Sequence, residues 1–364
     1  MAAGCPRPLL KLGTHDRRTR GSHPAWPQPA RALLPGRPGH RAAARHPQAS
    51  ENAPEDWIGS TTELFGRPGD GLSRLPGGET LRDAIAADPG GFLGAGHVAR
   101  FGVNPALLVK ILDTGQRLVV HFHPDRDFAA RYLGSRFGKT ESWLILETRD
   151  ESGDPSAGYV YLGFAGDADP AVVRRWVADQ DTSAILDSLN KVPVAAGDTV
   201  LVPAGVPHAI GAGITLVELQ EPTDFSILLE WAGFAIDGVT AGHLGLGFDT
   251  ALTALDYSGW DASRLAALRS PRPGAAERAG VTRLLPARAD EFFRAERVEP
   301  SGPVDFEPGY ALLVVVSGRG QLTYPSGSLA VRRGSTVLVP YGAGLTTLEG
   351  ELRALRGRPP SPVA

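Results

Sequence analysis

The stretch RLVVHFHPDRDF, Arg117 to Phe128, sets His121 and His123 one residue apart at the end of an apolar run. On a β-strand, residues i and i+2 share a face, so both imidazoles aim at one spot. A metal, a phosphate or a plain polar surface would each suit such a pair. Two further donors narrow the choice: Glu141, which opens the run ESWLILE, and His208, which closes PAGVPH. Imidazole and carboxylate are the ligands preferred by zinc and other borderline divalent cations, and a catalytic site of this kind leaves one position open for water or substrate. The alternative is a set of hydrogen-bonded polar side chains in the mouth of a barrel.

Such donors are far apart in sequence, so short strands and tight turns must gather them. ALLVKILD (Ala106–Asp113) and RLVVHFH (Arg117–His123) read as strands joined by TGQ in a hairpin. ETLRDAIAAD (Glu79–Asp88) reads as a helix stopped by DPGG, and DRDFAARYLG as one or two helical turns ending at Gly134. ESWLILE and AGYVYLGF are strand-like. Asp169–Asn190 is the best helical stretch, with Val172, Val173, Trp176 and Val177 on one face. From Lys191 to Trp231, short β runs are broken every few residues by Gly or Pro, the punctuation of a β-sandwich or jelly roll. A Pro/Gly/Arg-rich joint, Pro271–Gly280, precedes a second β region from Val281.

An internal repeat links the two regions. GDTVLVPAGVPH (Gly197–His208) and GSTVLVPYGAGL (Gly334–Leu345) share their Gly, Pro and Gly spacing, with His208 matched by Leu345. ESWLILE superposes on ALLVVVS, with Glu141 against Ala311. Polar residues in the first copy thus stand where the second has aliphatic ones, and that contrast favours a functional site over a merely structural set of histidines. The expected fold is mainly β, two related jelly-roll barrels with a helical insertion. The expected division is a metal-binding barrel over 51–235, a helical connector over 236–280 and a degenerate, metal-free barrel over 281–364.

Composition bounds the rest. A chain of 364 residues with one cysteine, Cys5, has no intrachain disulfide framework and fits a reducing, cytoplasmic compartment. No apolar run approaches the ~18 residues of a membrane span. A net charge of −3 gives no general nucleic-acid footprint, although residues 1–50 hold eight Arg and one Lys against Asp16 alone. That basic head lacks amphipathic period and is expected to be disordered or foreign to the domain, as a mis-assigned start or shifted reading frame would make it. It lacks the apolar core of a secretory signal, and Arg17-Arg18 is not followed by one. Nucleic-acid and membrane partners are not expected.

The segments HFHP (121–124), KTE (139–141), PAGVPHA (203–209) and ELQEPTD (218–224), with EDWIGS (55–60) ahead of them, resemble the type I mannose-6-phosphate isomerases of the cupin superfamily. The similarity runs from about residue 54 to the C-terminus. The resemblance implies one Zn2+ per chain, or another divalent metal, held by His123, Glu141 and His208, with His121 standing where the family usually has a glutamine ligand. It places Lys139 and Glu218 at active-site positions and Trp57 at a site-lining one. Lys110, inside an apolar strand, is a further candidate for the mouth of the site, although snorkelling to solvent is the favoured reading of its long stem. The implied reaction moves a proton between C1 and C2 of a sugar through an enediol, converting mannose 6-phosphate to fructose 6-phosphate. Glu218 is the candidate base, and Lys139 the group that steadies an oxyanion or holds substrate. The family's arginine, ten residues beyond the first glutamate of Glu-x-Gln, is replaced by Leu228. An isomerase of an unphosphorylated or different sugar, a non-catalytic sugar-binding cupin and an iron-dependent dioxygenase are the alternatives.

Overall fold

The computed structural model describes residues 7–14, 55–149, 158–270 and 275–361. Three antiparallel sheets dominate, so the fold is mainly β. The first, here the inner sheet, runs Glu55–Ile58, Leu108–Asp113, Ile214–Gln220, Glu141–Thr148, Thr199–Val202. The second, the outer sheet, runs Ile227–Leu228, His121–Phe122, His208–Ile210, Tyr159–Phe164, Leu189–Pro193. The third has nine strands. Its path is Leu10–Thr14, Ser335–Val339, Ala311–Tyr324, Thr346–Arg358, Arg294–Val298, Val281–Arg283, Ala275–Arg278, with Val304–Phe306 and Gly327–Arg332 as branches. None of the three is closed by hydrogen bonds into the barrel expected from the sequence.

Alternation along the strands builds three apolar layers. Leu112, Trp143, Ile145 and Leu216 of the inner sheet meet Val160, Leu162 and Ile210 of the outer sheet. The opposite face of the inner sheet, with Val109, Ile111, Val217 and Leu219, packs on Leu312, Val314, Leu338 and Leu355 of the nine-stranded sheet. Both faces of the inner sheet are therefore covered, which is why its central strands are buried at almost every residue.

Ladder registers carry the repeat further than the sequence does. The inner-sheet order 55–58, 108–113, 214–220, 141–148, 199–202 matches 281–283, 294–298, 346–358, 311–324, 335–339, strand for strand. Glu141 opposes Val202 as Ala311 opposes Val339, and both long central pairs carry a bulge at the same place, Leu146 and Val316.

Several expectations are corrected. Ala106–Asp113 and Arg117–His123 do not form a hairpin: Leu108–Asp113 stays in the inner sheet, while only His121–Phe122 is a strand, in the outer one. Thr114 explains the crossing. Its hydroxyl donates to the Gly211 carbonyl at 2.7 Å and accepts from Ile214 N–H at 2.9 Å, diverting the chain at the sheet edge. The helix Leu81–Ala87 is capped by Thr80, but DPGG opens another helix, Pro89–Leu93, with Asp88 as its N-cap and Pro89 in its first turn. The stretch Asp169–Asn190 divides into Pro170–Asp179 and Thr182–Asp187, because Gln180 turns left-handed at φ 53° and Asp181 caps the second helix. Val173 and Val177 are its buried residues there. The joint Pro271–Gly280 contains the strand Ala275–Arg278. Leu345, matched to His208, is 45% exposed rather than an interior aliphatic. In the basic head, Leu10–Thr14 is an ordered edge strand paired with Ser335–Val339, against the expectation of disorder; most of the remaining head lies outside the described residues. Among the described residues, no helix is long and apolar enough to cross a membrane.

Candidate metal centre and its pocket

The outer sheet supplies His121 and His208, which face one another across adjacent strands, and His123 follows at the strand end. The inner sheet supplies Glu141, the first residue of its strand. Gly205, at φ +86°, makes the turn before His208, and its N–H donates to the His123 carbonyl at 2.7 Å, tying two donor segments together.

Each imidazole is oriented by a backbone carbonyl on its Nδ1: Val119 for His121 at 2.9 Å, Phe225 for His123 at 2.7 Å and Val206 for His208 at 2.8 Å. A carbonyl can only accept, so Nδ1 carries the proton and Nε2 keeps its lone pair. The three Nε2 atoms converge. Those of His121 and His208 are 3.1 Å apart, and Glu141 brings Oε2 within 3.0 Å of His123 and Oε1 within 3.4 Å of His208. Burial, the largest cause, lowers all three imidazoles, His123 and His208 to about 3, so they are neutral donors. Burial acts to raise the Glu141 carboxyl, but Lys139 and then His123 outweigh it and hold it well below the usual range.

Three lone pairs and a carboxylate pointing at one another repel unless a cation sits among them. Lys139 lies at that point: its ammonium is 2.7 Å from both His123 Nε2 and Glu141 Oε2. Trp143 donates to the remaining oxygen of Glu141 at 3.0 Å. Gln220 stands opposite Glu141 in register, fully buried, with its amide nitrogen committed to the carbonyls of Glu221 and Thr223 and its Oε1 left without a partner. The three histidine donors could hold a metal ion, and the added carboxylate and orphaned carbonyl suit a divalent cation of nitrogen and oxygen preference.

Beside this centre the same face of the inner sheet carries a buried ion cluster. Lys110, 3% exposed, is paired across the ladder with both Trp57 and Glu218. Its Nζ lies 3.4 Å from Glu55 and 3.6 Å from Glu218, and 4.5 Å from the centre of the Trp57 ring. Trp57 in turn donates to Glu55 at 2.7 Å. The Lys110 stem therefore does not snorkel to solvent. Burial, and then the nearby Glu141 charge, push Glu218 up to about 7 against the pull of Lys110 and Lys139.

The structure thus gathers all eight sequence candidates into two adjoining clusters. Sequence reasoning missed Glu55 and Gln220. Both had a signal, since each sits two residues from a named candidate, Trp57 and Glu218, and so on the same strand face. Leu228 is paired with His121 and so shares its face, with an alkyl group where the resemblance implies a guanidinium.

No family model matches the chain. Among curated proteins, a mannose-6-phosphate isomerase from Streptococcus mutans is 28% identical over 251 residues, 68% of this chain and 72% of that protein. One from Bacillus subtilis is 26% identical over 261 residues, 67% and 72%. Among solved structures, the mannose 6-phosphate isomerase of Bacillus subtilis matches with a TM-score of 0.65 at 20% identity, covering 85% of this chain and 90% of the other. A variant of phosphomannose isomerase from Salmonella typhimurium gives 0.63 at 15%, covering 88% and 93%. In sequence and in fold, this chain is similar to the mannose-6-phosphate isomerases.

Proposed function

We propose that this chain is an aldose–ketose isomerase of mannose-6-phosphate isomerase type, working on mannose 6-phosphate and fructose 6-phosphate through an enediol. The observation that carries the reading is the buried Glu218, its carboxyl raised to about 7, on the same inner-sheet face as Glu141, the carboxylate that meets the three histidines. Its value near neutrality suits a group that must take a proton from one sugar carbon and return it to the next. His121, His123, Glu141 and His208 would hold one Zn2+, which when bound supplies Lewis acidity toward the sugar's carbonyl and hydroxyl oxygens. Lys139 is placed to donate hydrogen bonds to an oxygen carrying developing charge. Lys110 and Trp57 form the wall against which substrate lies, and Lys110 holds Glu218 in position. The inner and outer sheets are read as one jelly-roll unit, 51–235, and residues 281–364 as its metal-free sister beyond a connector. A reducing, cytoplasmic setting agrees with the single cysteine.

The relatives favour this reading over a free-sugar isomerase or a non-catalytic module. Leu228 makes the phosphoryl group the part of the substrate to test. Metal-reconstituted protein should interconvert mannose 6-phosphate and fructose 6-phosphate, with exchange of the C2 hydrogen into solvent, and should lose both on chelation. Turnover of free mannose alone, or binding without exchange, would overturn the assignment.

A further inference from the structure

The sister unit is not simply an emptied copy. Superposing the two sheets by register sets Ala311 on Glu141 and Leu313 on Trp143. The same registers set Arg356 on Glu218, since these oppose Leu313 and Trp143, and Glu296 on Lys110, since these oppose Arg356 and Glu218. Arg358, next on that face, falls on Gln220. The Lys110–Glu218 pair of the first unit is therefore repeated in the second as Glu296–Arg356, with the charges exchanged. A unit kept only for packing would fill these inward positions with aliphatic side chains.

We propose that this inverted cluster is an oxyanion site, binding a small phosphoryl or carboxylate group on Arg356 and Arg358. Among the described residues, Glu296 is the one carboxylate in contact with both, accepting from Arg356 at 2.8 Å and from Arg358 at 2.7 Å, one negative charge against two positive ones. Arg356 is 6% exposed, so its charge is poorly solvated. One more observation fits an anion: the guanidiniums of Arg356 and Arg278 lie 4.3 and 5.1 Å from the centre of the Phe306 ring, which brings a third guanidinium to the same ring. The Arg358 side chain keeps 28% exposure, which gives a ligand a route in from solvent. Planar guanidinium forks match the oxygens of phosphate and carboxylate.

Isothermal titration of the full-length, metal-free protein tests the site without reference to turnover, so its outcome is independent of the isomerase reading. Inorganic phosphate is the first probe and acetate the second; the tighter of the two names the oxyanion class. Arg358→Gln should weaken binding by about tenfold, Arg358→Lys should recover only part of it, and Glu296→Gln should tighten it. Lys110→Met should leave it unchanged. Absence of phosphate or acetate heat in the wild type overturns the proposal. So does binding that survives Arg358→Gln, or that disappears in Lys110→Met and so belongs to the first unit.

Discussion

Glu218 shows how one residue's chemistry follows from its neighbours. Its carboxyl is buried and close to another carboxylate, so the proton is held to about 7, while Lys110 keeps the ionised form within reach. A general base works only when ionised, so kcat/KM should fall as pH drops below the Glu218 value and level off above it. The isosteric change Glu218→Gln should lower kcat by about 10²-fold or more and remove that acid limb, while metal content stays at the wild-type level. Loss of metal from the same variant would reassign Glu218 to the ligand set. At this scale the sequence was informative because strand periodicity places His121 with His123. Gln220 and Glu55 had the same i±2 signal beside Glu218 and Trp57, but what gives them weight is their partners on neighbouring strands, Glu141 and Lys110, which spacing within one strand does not show.

Elements decide whether those residues meet. The run around His121 looks like the return arm of a hairpin, yet it crosses to the outer sheet and so faces Glu141 across the interior instead of lying beside Leu108–Asp113. Local propensity could not show this, because TGQ is good turn chemistry either way. The deciding contacts are long-range: Thr114 bonds to Gly211 and Ile214, about a hundred residues on. Thr114→Val keeps the shape but leaves the Ile214 N–H and Gly211 carbonyl without that buried hydroxyl. A cost of about 1–3 kcal/mol follows, read as a shift in denaturant midpoint at constant slope. Because the crossing delivers His121 and His123, metal affinity should weaken in the same variant. An unchanged midpoint would show that the crossing is set elsewhere.

At the scale of the whole molecule, the inner sheet is the shared wall. One face bears the candidate site and the other packs on the nine-stranded sheet through Val109, Ile111, Val217 and Leu219 against Leu312, Val314, Leu338 and Leu355. The Gly-Pro-Gly repeat made the kinship of the two units legible from sequence, but not that they stand back to back, because apolar residues on both faces of a strand do not say what covers each. A layer continuous across both units couples their stabilities. Leu312→Ala removes a fully buried side chain from it and should cost about 2–5 kcal/mol in a single cooperative transition that carries metal loss with it. Two separate transitions would show that the units fold independently.

The N-terminal strand extends the same logic to an edge. Leu10–Thr14 pairs with Ser335–Val339, and Leu9 joins the apolar layer of Val337 and Val339. Arg7 stacks on Phe92, 4.4 Å from the ring centre, and its N–H donates to the Gly342 carbonyl. The segment thus ties the sister unit to the helix Pro89–Leu93 of the first. Deleting residues 1–14 would uncover the N–H and C=O groups of Ser335–Val339 and leave an unpaired edge of the kind that recruits other chains. The expected result is a lower thermal midpoint and a concentration-dependent rise in apparent mass on gel filtration, with the kcat of the remaining folded monomer unchanged, since the candidate centre lies between the inner and outer sheets, on the side of the inner sheet away from the nine-stranded one. A deletion variant as stable and as monomeric as the full chain would mean that this strand contributes nothing to the sheet it borders.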